Sequence, residues 1–366
     1  MESSPTTTVT ATCACKTFTL PLSIPTSSLP YERALCLCSS CRRLSGSCGI
    51  SFLPIPSSQT IDPTSFALTK YATSAGLVRY FCSTCGAHAL VDVKGWGCWA
   101  LATGLLDRTE GVLEWTGCKW VESTLDGGVS IWLNSITDTD GTKRDLKRWM
   151  LQDGEGGELV PADALRKYAP PKKEGKEAGE ERLNAQCHCG GVKFYLTRPN
   201  DASKTVRSPF PDLMVPYHSA SSANPDNKTW WLRADDTKYL AGTCTCTSCR
   251  IASGFEIQPW AFVPKCNIFQ ENGEEMKYDM GTLKRYASSP GVWREFCGVC
   301  GATVFWHCEW RPDLVDVSVG LLDPAEGARA ENWLDWWTER VSFEEMAVSR
   351  SLVGALEEGL REWGLG

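Results

Sequence analysis

Hydrophobic and polar positions alternate over short stretches along most of the chain, with Gly, Pro and Ser between the stretches. Four stretches are rich in the β-branched and aromatic residues that suit a pleated sheet, namely residues 78–81, 89–93, 129–133 and 192–196. A helical period is found near the C-terminal end, in residues 347–363. Its apolar face carries Leu352, Leu356, Leu360 and Trp363. The pattern predicts a mainly β protein with a C-terminal helix.

A long block of sequence occurs twice, at residues 70–87 and 285–302, and shorter blocks before and after it are repeated in the same order. The offset of about 215 residues is too long for a solenoid repeat, so we interpret it as a tandem duplication of one domain. We expect a first domain at 10–136, a charged linker at 137–182, a second domain at 183–345 and a C-terminal helix at 346–366. Within the second domain, a long insert is expected at about 195–240.

Composition narrows the class of protein. The 366 residues are 42% hydrophobic and 22% charged, which is typical of a globular chain. The formal net charge of −7 argues against binding to nucleic acid, which needs clustered Lys and Arg. No stretch approaches the roughly 18 apolar residues of a membrane span, and the first residues lack the basic and apolar regions of a signal peptide. We therefore expect a cytoplasmic protein without membrane or nucleic-acid partners; its oligomeric state stays open.

Cysteine is the strongest departure from average composition. Of 19 cysteines, 14 recur as seven per copy, in the order C-x-C, C-x-C-x-x-C and C-x-x-C-G. Reduced thiols in such clusters indicate metal binding or catalysis. Because structural zinc takes four ligands and catalytic zinc takes three with one open position, seven divides into four and three. Locality favours pairing C-x-C with C-x-x-C-G in a closed site and leaving C-x-C-x-x-C open, although spacing alone leaves other partitions possible.

The ordered set C-x-C, C-x-C-x-x-C-R and R-x-F-C-x-x-C-G-A resembles the centromere-protein-V / glutathione-dependent formaldehyde-activating family of zinc proteins. The resemblance covers both copies and implies two β-tent domains, related to zinc ribbons, with up to two zinc ions in each. It implies structural ligands at Cys13, Cys15, Cys82, Cys85, Cys187, Cys189, Cys297 and Cys300. It implies open, catalytic sites at Cys36, Cys38, Cys41, Cys244, Cys246 and Cys249.

The chemistry of an open three-thiolate zinc indicates a reaction class. Such a site binds an incoming thiol and deprotonates it, which prepares a nucleophile. Addition of a thiolate to an aldehyde gives a hemithioacetal, and the reverse reaction is that of a carbon–sulfur lyase. The resemblance implies this class, with a small-molecule thiol or thiol adduct as partner and glutathione as the usual thiol. The long insert of the second copy suggests a larger or more specialised substrate.

Several residues beside the clusters have two interpretations. Arg42 and Arg250 directly follow the open clusters. Either they offset the thiolate charge or hold substrate carboxylates, or they are surface arginines. Cys48 and Glu256 occupy matching positions from which a side chain could cap the open site, but we expect both to be ordinary neighbours of the cluster. The best candidate for a pocket wall is Trp260.

Expectations also follow for the remaining His and Cys residues and for the chain as a whole. His188 lies between two ligands and is expected to face away from the metal. The non-repeated cysteines at positions 98, 118, 266 and 308 are expected to be buried thiols. For the whole chain, the alternative to a zinc-dependent lyase is a non-catalytic zinc scaffold that binds a protein partner. Zinc can supply folding energy without catalysis, but four thiolates per copy would suffice for folding, which favours the enzyme.

Overall fold

The computed structural model describes residues 5–94, 97–138, 140–161, 164–165 and 181–365. The first copy contains β1 (Thr6–Thr12), β2 (Thr19–Pro25), β3 (Tyr31–Cys36), α1 (Ser39–Ser45), β4 (Phe52–Pro54), β5 (Leu68–Ser74), β6 (Leu77–Cys82), β7 (His88–Val93), β8 (Cys98–Ala102) and β9 (Leu113–Lys119). Three short strands follow: β10 (Ser135–Thr137), β11 (Lys143–Asp145) and β12 (Lys147–Arg148).

The second copy repeats this order of elements and adds two short strands, Leu232–Arg233 and Ile268–Gln270. It contains β13 (Arg182–Gln186), β14 (Lys193–Thr197), β15 (Leu232–Arg233), β16 (Lys238–Cys244), α2 (Thr247–Ser253), β17 (Gln258–Pro264), β18 (Ile268–Gln270), β19 (Leu283–Ser289), β20 (Val292–Cys297), β21 (Thr303–Cys308), β22 (Leu314–Ser318) and β23 (Leu334–Trp336). Helix α3 (Arg350–Gly364) follows at the C-terminal end. The prediction of a mainly β protein with a C-terminal helix is confirmed.

Each copy is built on an antiparallel sheet. In the first copy its order is β4-β8-β7-β6-β5, and in the second β17-β22-β21-β20-β19 lie in the same order within a larger sheet. The strand that leads to the C-x-C-x-x-C cluster is β3 in one copy and β16 in the other. Each of them has a parallel neighbour, β9 and β23 respectively. The duplicated sequence therefore gives a duplicated topology.

One predicted strand is wrong. Residues 129–133 do not form a strand, because a 3-10 helix runs over Gly128–Ile131. Gly127 and Gly128 both have positive φ angles, 84° and 52°, and the Asp126 carboxylate accepts the amide N–H of Gly128 at 2.8 Å. This turn chemistry outweighs the β-propensity of the residues that follow it.

The two copies pack through reciprocal contacts. Helix α1 lies against the 3-10 turn Val319–Leu321 of the second copy, and α2 lies against the equivalent turn Thr103–Leu105 of the first. Across the interface the amide of Gly320 donates to the carbonyl of Gly46, and that of Gly104 donates to the carbonyl of Gly254, both at 3.0 Å. Such mutual contacts are typical of a two-fold arrangement.

The segments outside the duplicated blocks are joined to the first copy. Strand β12 pairs in parallel with β9, and β10 pairs with β11, so the described part of residues 137–161 is packed as short strands. In α3 the apolar face is buried through Leu352, Leu356 and Leu360. Among the described residues, no helix is long and apolar enough to cross a membrane.

Candidate metal centres and the adjoining pocket

Two groups of four cysteine thiols are each drawn together within 4.8 Å of one another. They are Cys13, Cys15, Cys82 and Cys85 in the first copy and Cys187, Cys189, Cys297 and Cys300 in the second. In each group the C-x-C segment follows the first strand of the copy, and the C-x-x-C-G turn joins two strands of the main sheet. Gly86 and Gly301 end these turns with φ angles of 76° and 80°, which glycine adopts without strain.

Two further groups of three thiols lie at the starts of α1 and α2, again with their sulfur atoms within 4.8 Å of one another. They are Cys36, Cys38 and Cys41, and Cys244, Cys246 and Cys249. The sulfur of the middle cysteine accepts the amide N–H of the last one at 3.4 Å in both copies. The partition into four and three thiols is therefore the one that the fold brings together.

The donor sets fit zinc. All 19 cysteines are free thiols, so no cysteine of the four clusters forms a disulfide bond. Thiolates are soft ligands that select zinc, copper(I) or iron–sulfur clusters. Four of them make a closed tetrahedral set, whereas three leave a position for another ligand. By this chemistry the four clusters are candidate metal centres, closed in one type and open in the other.

Two arginines that the sequence analysis missed contact the open clusters. Nη2 of Arg79 donates to the sulfur of Cys41 at 3.2 Å, and Nη2 of Arg294 donates to the sulfur of Cys249 at 3.3 Å. Both side chains are buried. Burial alone would lower the pKa of Arg294, but the Cys249 and Cys246 thiols outweigh it, and that pKa is raised. The signal was the repeated R-x-F-C motif, in which both arginines stand three residues before a cysteine.

Part of the Arg294 guanidinium remains available. Its Nη2 also donates to the hydroxyl of Ser248 at 2.8 Å, but in the described structure Nε and Nη1 are buried without a hydrogen-bond partner. A buried charged donor that lacks a partner costs free energy, so these N–H groups favour an acceptor supplied from outside the protein.

The arginines that directly follow the clusters have different surroundings. Arg42 donates to the carbonyls of Leu37 at 3.0 Å and Ser123 at 2.9 Å. Arg250 crosses the interface between the copies and donates to the carbonyls of Gly104 and Leu106, the latter at 2.8 Å. Both are buried rather than surface residues. The hydrogen bonds of both arginines hold main-chain segments in place. A contact of Arg42 or Arg250 with substrate stays a prediction.

The candidate capping residues lie outside the clusters. Among the described residues, neither Cys48 nor Glu256 belongs to a group of potential ligands. Burial raises the pKa of Cys48 to about 12, so it is a neutral packed thiol. The carboxyl of Glu256 accepts from the hydroxyl of Thr103 at 3.0 Å, across the interface. Of the non-repeated cysteines, Cys118 and Cys308 are buried as predicted, whereas Cys98 is half-buried and Cys266 is exposed.

The open cluster of the second copy adjoins a cavity of about 870 Å³. Trp260 and Trp306 form the wall next to the thiols, and Nε1 of Trp260 donates to the sulfur of Cys249 at 3.4 Å. Trp260 is thus the pocket wall that the sequence predicted. Other parts of the lining come from the insert, from residues 342–346 and from the first copy at residues 12–16.

The insert is held in place by one buried carboxylate. Asp212 accepts the amide N–H of Tyr217 and that of Phe343, each at 2.7 Å, and the hydroxyl of Ser342 at 3.0 Å. These bonds join the insert to the segment before α3. The side of the pocket formed by the insert is therefore a fixed wall in this structure.

The first copy has different residues at the matching positions. His188 stands where the second pocket has Ala14, and its Nδ1 lies 2.8 Å from the hydroxyl of Tyr71, which matches Tyr286. Phe52 replaces Trp260, and its ring lies 4.9 Å below the guanidinium of Arg79. The two open clusters are alike in their thiols and in an arginine whose Nε and Nη1 have no hydrogen-bond partner among the described residues, but they differ in the aromatic and histidine side chains around them.

Comparison with known proteins gives one finding. The sequence model of the glutathione-dependent formaldehyde-activating enzyme matches residues 8–122 and 231–340, which together make up more than half of the chain. The two matches fall on the two copies, and the second begins at residue 231, near the end of the expected insert. Neither curated proteins nor solved structures give a significant match.

Proposed function

The chain belongs to the glutathione-dependent formaldehyde-activating family, and on that premise we propose that it is a zinc-dependent carbon–sulfur lyase, or catalyses the reverse addition. Its substrate is the adduct of a glutathione-type thiol with a carbonyl compound. The observation that carries the proposal is the three-thiol cluster of the second copy, which adjoins a cavity of about 870 Å³ and a buried arginine with free N–H groups.

Cys244, Cys246 and Cys249 would hold the metal at this site. Zinc bound there would offer a fourth position at which a thiol is held as its thiolate. The protein supplies the remaining parts of the site. The indole of Trp260 and the guanidinium of Arg294 donate to Cys249 and so reduce the negative charge of the cluster.

In the lyase direction the carbon–sulfur bond of a hemithioacetal breaks, and its electron pair stays on sulfur. The hydroxyl on the same carbon loses its proton as the C=O bond forms, and the proton ends on the released thiol or in solvent. The products are a thiol and an aldehyde, with no change of oxidation state. Nη1 and Nε of Arg294 are free to donate to this oxygen while it carries negative charge, which lowers the barrier in both directions.

The second copy is the active one in this proposal. Its cluster opens on the aromatic pocket, whereas at the matching place in the first copy the hydrogen-bonded pair of His188 and Tyr71 stands in place of Ala14 and Tyr286. We assign the first copy's open cluster a structural role beside the two closed clusters. We also place the protein in the cytoplasm, where a reducing medium keeps its 19 free thiols reduced.

A matched pair of variants tests the proposal. Cys38→Ser and Cys246→Ser each remove the middle thiol of an open cluster, in the first and the second copy. Zinc per chain, measured by elemental mass spectrometry, is expected to be about four in the unchanged protein, one for each cluster. Each variant should lose about one zinc.

Hemithioacetal formation and cleavage, followed with glutathione and several aldehydes, should be lost only in Cys246→Ser. Loss of activity only in Cys38→Ser would assign the reaction to the first copy. No activity in the zinc-loaded unchanged protein would favour a zinc scaffold instead.

A further inference from the structure

The pocket of the second copy is larger than an adduct of formaldehyde requires. Its volume of about 870 Å³ lies toward the upper end of the roughly 300–1,000 Å³ of sites that bind drug-sized molecules. Formaldehyde adds a single carbon to the thiol. The remaining space extends from the thiol cluster to the insert, so the carbonyl half of the substrate has room for a group of many atoms.

The wall of this space is aromatic. Trp306 packs against the cluster beside Trp260, and the guanidinium of Arg311 lies 4.5 Å from the Trp306 ring and stiffens that wall. Farther out, Tyr217 and Phe343 come within 6.4 Å of each other at their ring centroids. Tyr217 is 77% exposed. Aromatic surface left open around a pocket favours an apolar, flat ligand.

The charged groups of the lining are mostly satisfied by one another. Arg311 and Asp316 form an ion pair at 2.6 Å, and Asp212 is bonded to the segment before α3. Arg294 contacts the sulfur of Cys249, so its free Nε and Nη1 lie beside the thiols, and in the proposed function they would serve the oxygen of the reacting carbon and not the distant ends of the substrate. The exposed cation in the lining is Lys16, contributed by the first copy.

We propose that the physiological adduct carries a bulky aromatic or similarly apolar group on its carbonyl half, held between Trp306 and the insert. The other half, the glutathione-type thiol, places one of its carboxylates near Lys16. This inference rests on the proposed function. The aldehyde released is then an aryl aldehyde, or one of similar size and polarity, instead of formaldehyde. The bonds that break and form are the same as in the reaction described above.

Binding of inert analogues tests the substrate class separately from catalysis. S-(naphthylmethyl)glutathione and S-methylglutathione are thioethers without the hydroxyl group, so neither can be cleaved by this reaction. Isothermal titration of the zinc-loaded full chain should give about 100-fold tighter binding of the naphthyl compound, as expected for burial of a large apolar group. Equal affinities for the two compounds would overturn the inference.

Two variants locate the binding site. Trp306→Ala removes the aromatic wall, and Val215→Trp fills the pocket from the insert. Each should weaken binding of the naphthyl compound by about 10-fold or more, while S-methylglutathione changes little. Zinc content and circular dichroism identify a variant that misfolds. In that case the naphthyl affinity of the other variant tests the assignment of the pocket. Unchanged naphthyl affinity in a folded variant would contradict the assignment of this pocket.

Turnover separates this inference from the proposed function. If the naphthyl compound binds as expected but no hemithioacetal is cleaved, the proposed reaction is contradicted and the proposed class of ligand is supported. If the glutathione adduct of formaldehyde is cleaved at least as efficiently as that of 2-naphthaldehyde, the substrate class fails and the reaction stands.

Discussion

The amide N–H of Gly104 donates to the carbonyl oxygen of Gly254 across the interface between the two copies, over 3.0 Å. Gly254 ends helix α2 with a φ of 74°, directly after the segment that carries the second open cluster. The same relationship recurs in the other direction between Gly320 and Gly46. Each cluster-bearing helix is thus anchored on the partner copy, and neither copy completes this part of the fold by itself.

Gly104→Ala should destabilise the protein strongly. A Cβ at this position would lie 2.3 Å from the amide nitrogen of Phe255, a main-chain atom that cannot turn aside. We expect a loss of about 2–4 kcal/mol in the free energy of unfolding, measured by chemical denaturation. Gly76→Ala is the control, because a Cβ there meets nothing within 4 Å. Equal effects of the two substitutions would contradict the close packing of the interface.

Two glycines of α3 should respond oppositely to alanine. At Gly354 a Cβ meets nothing within 4 Å, so Gly354→Ala should stabilise the helix by about 0.5–1 kcal/mol through the lower entropy of the unfolded chain. At Gly359 a Cβ would overlap the carbonyl oxygen of Trp132, and Gly359→Ala should lower the melting temperature. An increase in melting temperature for Gly359→Ala would contradict the close packing of α3 on the first copy.

The buried carboxyl of Glu256 should make stability depend on pH. Burial raises its pKa from 4.5 to about 7, so the folded state favours the neutral form. As pH rises, this carboxyl group ionises at a lower pH in the unfolded chain than in the folded protein. Stability from this group is therefore fully present below pH 4.5 and is lost as pH rises through about 7.

Glu256→Gln keeps the shape of the side chain and removes this titration. The variant should be more stable than the unchanged protein at pH 8, by up to about 3 kcal/mol, and similar to it at pH 4.5. Denaturation at a series of pH values gives the difference directly. The exposed Glu155, changed to Gln, serves as the control and should leave the profile unaltered. A constant difference between Glu256→Gln and the unchanged protein across this range would refute the assignment.

Arg294→Lys should reduce turnover while zinc is retained. Lysine keeps the positive charge but lacks the planar fork that contacts Cys249 and leaves Nη1 free for the substrate oxygen. We expect kcat to fall by about 10²–10³, the effect of losing one oxyanion donor. Arg79→Lys makes the same change in the first copy and should leave kcat near its original value. If both variants lose activity equally, the two copies do not differ as proposed.

The cysteine motifs of the candidate metal centres could be predicted from the sequence, because their determinants are local. A C-x-C or C-x-x-C spacing fixes how close two thiols can come whatever surrounds them, and the repeat shows which segments belong to one copy. Local pattern also identified α3 and the strands β6 and β7. It failed at residues 129–133, where the glycines just before them impose a turn.

The surroundings of the clusters were decided only by the tertiary structure. Arg42 and Arg250 are next to the cysteines in sequence, yet helix geometry directs them to main-chain carbonyls, while Arg79 and Arg294 reach the sulfurs from a neighbouring strand. The pocket draws its lining from the insert, the segment before α3 and the first copy.

The sequence by itself thus determined the cysteine motifs and the β class of the fold, since each depends on residues a few positions apart. It also determined the repeat, because two matching blocks can be recognised by comparing the chain with itself. Which open cluster has a pocket, and what that pocket accepts, depends on residues more than a hundred positions apart, such as Lys16 and Trp306. Packing of the two copies brings them together, and no local pattern encodes that packing.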